Sequence, residues 1–100
     1  MEELTKLAKV LSDANRLKII LLMQREKELC VCEICDTLRL SQPLVSRHLR
    51  QMREAKIVQT KQSGKWVIYS LRENKIVNCM LDTLEEDRDS LPKIVACARE

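Results

Sequence analysis

Three of the five cysteines in this 100-residue sequence, Cys30, Cys32 and Cys35, lie within the octapeptide ELCVCEIC. Thiols at this density can form a disulfide staple, complete a zinc centre, act as a redox pair or capture an ion that prefers sulfur. Structural zinc takes four ligands, so a zinc or cadmium centre needs a fourth from Cys79, Cys97 or His48. A redox sensor needs an accessible, low-pKa thiolate beside a resolving cysteine, and the cluster meets the second condition. The odd cysteine count argues against a closed disulfide framework. Residue types alone leave the other readings open.

Spacing adds a constraint. Each residue of an α-helix advances about 100°, so Cys32 and Cys35 are about 60° apart on one face. Cys30 lies about 160° from Cys32, nearly opposite. No regular helix brings all three sulfurs to one small ion. Either the chain around Cys30 is non-helical, or capture must unwind the first turn.

The elements that must position these thiols follow from hydrophobic periodicity. Leu4, Leu7, Ala8 and Leu11 predict a first amphipathic helix. Ser12 or Asp13 is placed to cap a second, whose stretch RLKIILLM is apolar nearly all round and therefore central. A third short helix is expected over about 30–38, with Ile34 and Leu38 inward, and Arg39 and Leu40 form a tight turn. Ser41 then caps a fourth helix that tolerates Pro43 in its first turn. Its Val45, Leu49 and Met52 face inward, leaving Gln42, Ser46, Arg47, Arg50 and Arg53 outward. After Lys56 the period changes to two. IVQTKQ and KWVIYSL flank Ser63-Gly64, which predicts a β-hairpin with Trp66 packing at its base. Helical spacing resumes at Ile76 or Val77, Met80, Leu81 and Leu84, and the acidic run EEDRDS with Pro92 is expected to end that helix. Residues 93–99 are expected to make one more short turn.

The fold class is therefore mainly α with a β-hairpin, in the order α-α-α-α-β-β-α. This is a winged helix-turn-helix built as a single domain over 1–100. With no Phe and only Trp66 and Tyr69 aromatic, the core must be aliphatic, and so small a core favours dimerisation. No signal-like series or membrane-spanning run occurs, so a cytoplasmic protein without membrane contact is expected, in a compartment that keeps thiols reduced.

Charge locates a partner. The net charge is +3, yet residues 39–65 carry seven basic side chains against Glu54 alone. That block coincides with the turn, fourth helix and hairpin, the footprint of a polyanion-binding surface. Gln42 suits an adenine edge and Arg47 a guanine or phosphate, while Ser41 and Ser46 suit phosphate or an adaptable base contact. Arg50 projects from the same helix. His48 is expected part-exposed and making one phosphate bond, and Lys61 and Lys65 should touch the sugar-phosphate backbone. Neither aromatic residue sits in a stacking platform, so double-stranded DNA is the expected partner and RNA is not.

ELCVCEIC, LSQPLVSRHLRQMREAKIV and GKWVIYSL, in that order, together resemble the ArsR-type metalloregulators over about residues 4–84, and in particular their arsenic-responsive branch. The resemblance implies a homodimeric repressor that leaves a palindromic operator when its effector binds. It implies arsenic ligands at Cys30, Cys32 and Cys35 and DNA-reading residues on the helix that begins at Ser41. It also implies a dimer interface of the first and fifth helices, here Leu4, Leu7, Leu11, Val77, Met80, Leu81 and Leu84. Many relatives have Gly where this sequence has Lys56. A non-Gly residue in a left-handed helix end would be strained by about 1 kcal/mol, unless the cap differs. The zinc-sensing branch places His and carboxylate ligands on the fifth helix, and residues 72–88 hold no such set. The cadmium- and lead-sensing branch adds cysteines upstream, and none precedes Cys30 here.

Within that frame a soft, pyramidal ion such as As(III) or Sb(III) wants three thiolates and no fourth ligand, matching the count. No organic cofactor is expected. Cys97 is a possible accessory ligand, and Cys79 reads as a small apolar filler. The alternatives are a DNA-binding repressor that senses Cd, Zn, Pb or thiol oxidation through the same cysteines, and a small thiol-disulfide enzyme using Cys32 and Cys35. The last lacks the strand-C-x-x-C-helix context and any catalytic His or carboxylate near the thiols, so no enzyme is expected.

Overall fold

The computed structural model describes residues 1–96 as six helices and one hairpin. Helix α1 (Glu2–Leu11) buries Leu7 and Val10 and leaves Leu4 48% exposed. Helix α2 (Ala14–Glu26) is capped by Asp13, whose carboxylate accepts from the backbone N–H groups of Asn15 (2.8 Å) and Arg16 (3.1 Å). These bonds, Arg16's first, hold the Asp13 carboxyl below its ordinary range. Ile19 to Met23 are all buried, as an all-round apolar central helix requires.

Helices α3 (Val31–Leu38) and α4 (Gln42–Glu54) pack together as a helix-turn-helix. Between them Arg39 takes a left-handed conformation (φ 56°, ψ 47°), and the Leu40 N–H donates to the Cys35 carbonyl (3.1 Å). Ser41 Oγ accepts from the Leu44 N–H (3.4 Å), the cap its residue type predicts. Val45, Leu49 and Met52 join Ile20, Leu22, Met23 and Ile34 in one core of aliphatic side chains.

The C-terminus of α4 is closed by two bonds, from Lys56 N–H to Arg53 O (3.0 Å) and from Ile57 N–H to Met52 O (2.9 Å), with Met52 and Ile57 both buried. This is a Schellman end, and its left-handed residue is Lys56 at φ 61°. Lys56 therefore carries the strain anticipated for a non-Gly residue at a left-handed helix end. Lys56→Gly is expected to stabilise the fold by up to about 1 kcal/mol, the relieved strain less the entropy glycine adds to the unfolded chain. The melting temperature should rise correspondingly; a fall would mean that the strain is absent.

Strands β1 (Val58–Ser63) and β2 (Trp66–Leu71) pair antiparallel from Val58↔Leu71 to Ser63↔Trp66. The two turn residues are thus Gly64 (φ 60°) and Lys65, not Ser63-Gly64, because Ser63 is drawn into the ladder. The same register puts Trp66 at the wing tip rather than its base. Helix α5 (Lys75–Thr83) is capped by Asn74, which accepts from Ile76 and Val77 N–H. The acidic run does not merely end it but forms a separate short helix, α6 (Glu85–Asp89). Residues 93–96 are not helical, and the rest of the turn expected over 93–99 lies outside the described residues.

Candidate thiol cluster and nucleic-acid interface

The segment entering α3 is set by contacts on both sides. Lys27 (φ 74°, ψ −55°) makes a tight reversal closed by a Glu28 N–H bond to Glu26 O (3.0 Å). Leu29 then bridges the wing, donating to Tyr69 O (3.0 Å) and accepting from Tyr69 N–H (2.7 Å). Cys30, next in the chain, keeps an extended backbone (φ −93°, ψ 167°) and is the N-cap of α3, not its first turn. Its N–H donates to Glu33 Oε1 (3.0 Å), the return half of a capping box, and both residues are buried.

This answers the geometric question for two of the three thiols. The chain at Cys30 is already non-helical, and its side chain folds back over the first turn, bringing Cys30 Sγ to 3.2 Å from Cys32 Sγ. Cys35 is half-buried one turn on. Burial, followed by the negative charge of Asp36, pushes its thiol above the usual range, and Cys30 adds to the rise. Cys30, Cys35 and Cys79 are thiols, whereas Cys32 is disulfide-bonded, contrary to the expectation of uniformly reduced cysteines. Among the described residues no three His, Cys, Asp or Glu side chains are grouped to hold a metal, so Cys30 and Cys32 meet while Cys35 does not complete a preformed set. Cys79 is exposed on α5 and is not a core filler. Cys97 lies outside the described residues.

On α4, Ser41, Gln42, Ser46, Arg47, Arg50 and Arg53 are exposed opposite the buried stripe, as expected. His48 is not. It is 4% exposed, with its Nδ1 3.3 Å from Arg16 Nη1 and its Nε2 buried without a hydrogen-bond partner among the described residues. A phosphate contact at His48 is thereby corrected. Positions 45, 48, 49 and 52 complete an i, i+3, i+4, i+7 stripe, a signal that outweighs the polarity of the imidazole. Burial is the main cause lowering the His48 pKa; Arg16 and Arg47 lower it further, while Asp13 and the Gln51 hydrogen bond raise it.

Both wing lysines are exposed. Lys61 pairs with Glu28, and Lys65 Nζ stands 5.8 Å from the Trp66 ring centroid. Across the molecule, Leu4 and Ile76 (50% exposed) share a groove between α1, the end of α4 and the start of α5 with the charged side chains of Glu3, Lys6, Glu54 and Lys56. Of the expected interface residues, Leu7, Val77 and Leu81 are buried in the chain's own core, and Leu11, Met80 and Leu84 are half-buried. The exposed apolar face is carried instead by Leu4, Ile76 and Cys79, with Met80 at its edge. No helix among the described residues is long and apolar enough to cross a membrane.

A helix-turn-helix with a basic outer face, followed by a two-stranded wing, defines a winged helix DNA-binding domain. Residues 13–60 match the family described as bacterial regulatory protein, arsR family. The chain belongs to that ArsR family. It is 52% identical over 63 residues to an arsenic resistance transcriptional regulator of Pseudomonas putida, covering 63% of this chain and 49% of that one. It is 47% identical over 66 residues to the arsenical resistance operon repressor of Escherichia coli, covering 66% and 56% respectively. The chain thus spans about half the length of these curated relatives. Among solved structures it resembles the transcriptional repressor PagR of Bacillus anthracis, with a TM-score of 0.73 at 32% identity over 83% of this chain and 93% of that one.

Proposed function

We propose that this chain is a homodimeric, cytoplasmic repressor that leaves its operator when As(III) or Sb(III) engages Cys30, Cys32 and Cys35. The observation that carries the reading is the 3.2 Å approach of Cys30 and Cys32 sulfurs at the start of a helix packed on the reading helix. At bonds of about 2.3 Å, the zinc–thiolate length, sulfurs so placed subtend about 90° at an ion. That suits a pyramidal ion better than a tetrahedral one. Cys35 supplies the third thiolate by a local adjustment of α3, and the set requires Cys32 reduced. Cys97 is an accessory ligand in this reading, tested by mapping adducts with each cysteine blocked in turn.

On DNA, Gln42 and Arg47 read bases, with Ser41 and Ser46 close by, while Arg50, Lys61 and Lys65 bind phosphate. Two connections convey capture to these groups. Cys30 follows Leu29, which is bonded to the wing, and Cys35 lends its carbonyl to the turn that leads into α4. A disulfide at Cys32 favours a second reading, release by thiol oxidation.

A complex with duplex DNA selected from a random pool, titrated under reducing conditions with As(III), Sb(III), Cd(II) and Zn(II), separates the readings. Release by As(III) and Sb(III) at the lowest concentrations is expected. Release by peroxide alone, in a parallel arm without reductant, would transfer the function to the redox reading. Thiol-reductase turnover without DNA binding would replace the repressor with the enzyme class.

A further inference from the structure

Arg16, in the first turn of α2, spends its guanidinium on α1 and α4 at once. Its Nε donates to Val10 O (2.7 Å) and its Nη2 to Lys9 O (3.2 Å), which also accepts from Ser12, so both acceptors are backbone carbonyls in the last turn of α1. Its Nη1 donates to Gln51 Oε1 (2.7 Å) and meets His48 Nδ1 (3.3 Å), both on the inner side of the reading helix. The Asp13 cap fixes the backbone from which it reaches.

We propose that Arg16 is a positioning residue for DNA recognition, clamping neutral His48 and Gln51 to the end of α1 so that α4 keeps its angle to the helix that carries the exposed Leu4. The inference rests on the reading of α4 as the DNA-reading helix.

The chemistry of the clamp dictates the protonation state. A guanidinium offers only donors, so His48 Nδ1 must accept and the ring proton sits on Nε2. A second proton would aim an N–H at an N–H and place two cations in contact within a buried site. Of the charged groups facing the ring, Asp13 at the α2 cap favours the imidazolium, while Arg16 on α2 and Arg47 on α4 oppose it. From α1 only backbone carbonyls take part in the clamp. Acid should therefore release α4 from α1 without touching any group on the DNA face.

His48 is the only histidine in the sequence, so its titration can be followed by proton NMR without assignment. DNA affinity and this titration are measured from pH 5 to 8 for the wild type, Arg16→Met and His48→Asn, with circular dichroism as a check of folding. The wild type should bind evenly above about pH 6.5, the ordinary histidine value, and weaken below it. His48→Asn keeps an acceptor near Nδ1 but cannot charge, so it should bind like the wild type at pH 7.5 and lack the acid limb. Arg16→Met should bind about tenfold more weakly at pH 7.5, the scale of losing hydrogen bonds from a charged donor. Its His48 midpoint should also rise, because an opposing cation has gone.

Wild-type affinity in folded Arg16→Met, or an acid limb kept by His48→Asn, would overturn the proposal. If Arg16→Met does not fold, His48→Asn still decides it. Failure of the wild type to bind duplex DNA at any pH would overturn the DNA-reading assignment and this inference with it, whereas an unmoved His48 midpoint overturns the clamp alone.

Discussion

Cys30→Ser should abolish effector-driven release of DNA while leaving folding and DNA binding intact. Serine is close in size to cysteine and is a stronger N-cap, so with Glu33 three residues on it completes a more typical capping box. The buried start of α3 is therefore preserved or slightly stabilised. What disappears is one of the two sulfurs that meet at 3.2 Å. A hydroxyl is a hard, weakly acidic donor and a poor ligand for a soft ion. A coupling on the order of 1–3 kcal/mol between effector and DNA, equivalent to a change in affinity of roughly 5- to 150-fold, should fall toward zero. Fluorescence anisotropy of labelled duplex during As(III) titration in reductant reads this directly. Wild-type release by the serine variant would remove Cys30 from the site and refute a three-thiolate mechanism.

The second large effect is on stability. Leu49 is 1% exposed and lies on the stripe that seats α4 in the core. Leu49→Ala should cost about 2–5 kcal/mol from lost burial and the cavity left behind. Domains of this size have only about 5–15 kcal/mol in total. The melting temperature should fall by at least roughly 10 °C, with DNA binding lost as the fold is lost. Leu4→Ala is the contrasting control: Leu4 is half exposed in a single chain, so its truncation should weaken self-association more than it unfolds the protomer. A Leu49→Ala protein that melts within a few degrees of the wild type would mean that the reading helix is not anchored by this stripe.

Local pattern was a sound guide wherever the deciding force was local. Asp13 and Ser41 cap because a short oxygen-bearing side chain stands before an apolar period. Ile19 to Met23 form a central helix because apolar residues cover every side of it. The basic side chains Arg47, Arg50, Arg53, Lys61 and Lys65 all lie on the surface, since like charges that cannot neutralise one another stay in water. The departures came where a distant partner decides. Ser63 joins the ladder because its partner Trp66 extends β2, which moves the turn by one residue. Leu7, Val77 and Leu81 are periodic apolar residues that the pattern could assign either to the protomer's own core or to a partner.

By itself the sequence determined the order of elements through α5, the basic outer face of α4 and the kind of chemistry three clustered thiols can do, because these depend on residue type and on spacings shorter than two helical turns. Tertiary structure alone decided where those groups meet. The Cys30–Cys32 approach depends on an extended backbone at Cys30, held by the bonds between Leu29 and Tyr69 of the wing. The burial of His48 depends on Arg16 arriving from another helix to occupy its Nδ1. Neither could be read locally, because the free energy of burying a polar group is set by the partner that satisfies it, and that partner is supplied by the packed chain.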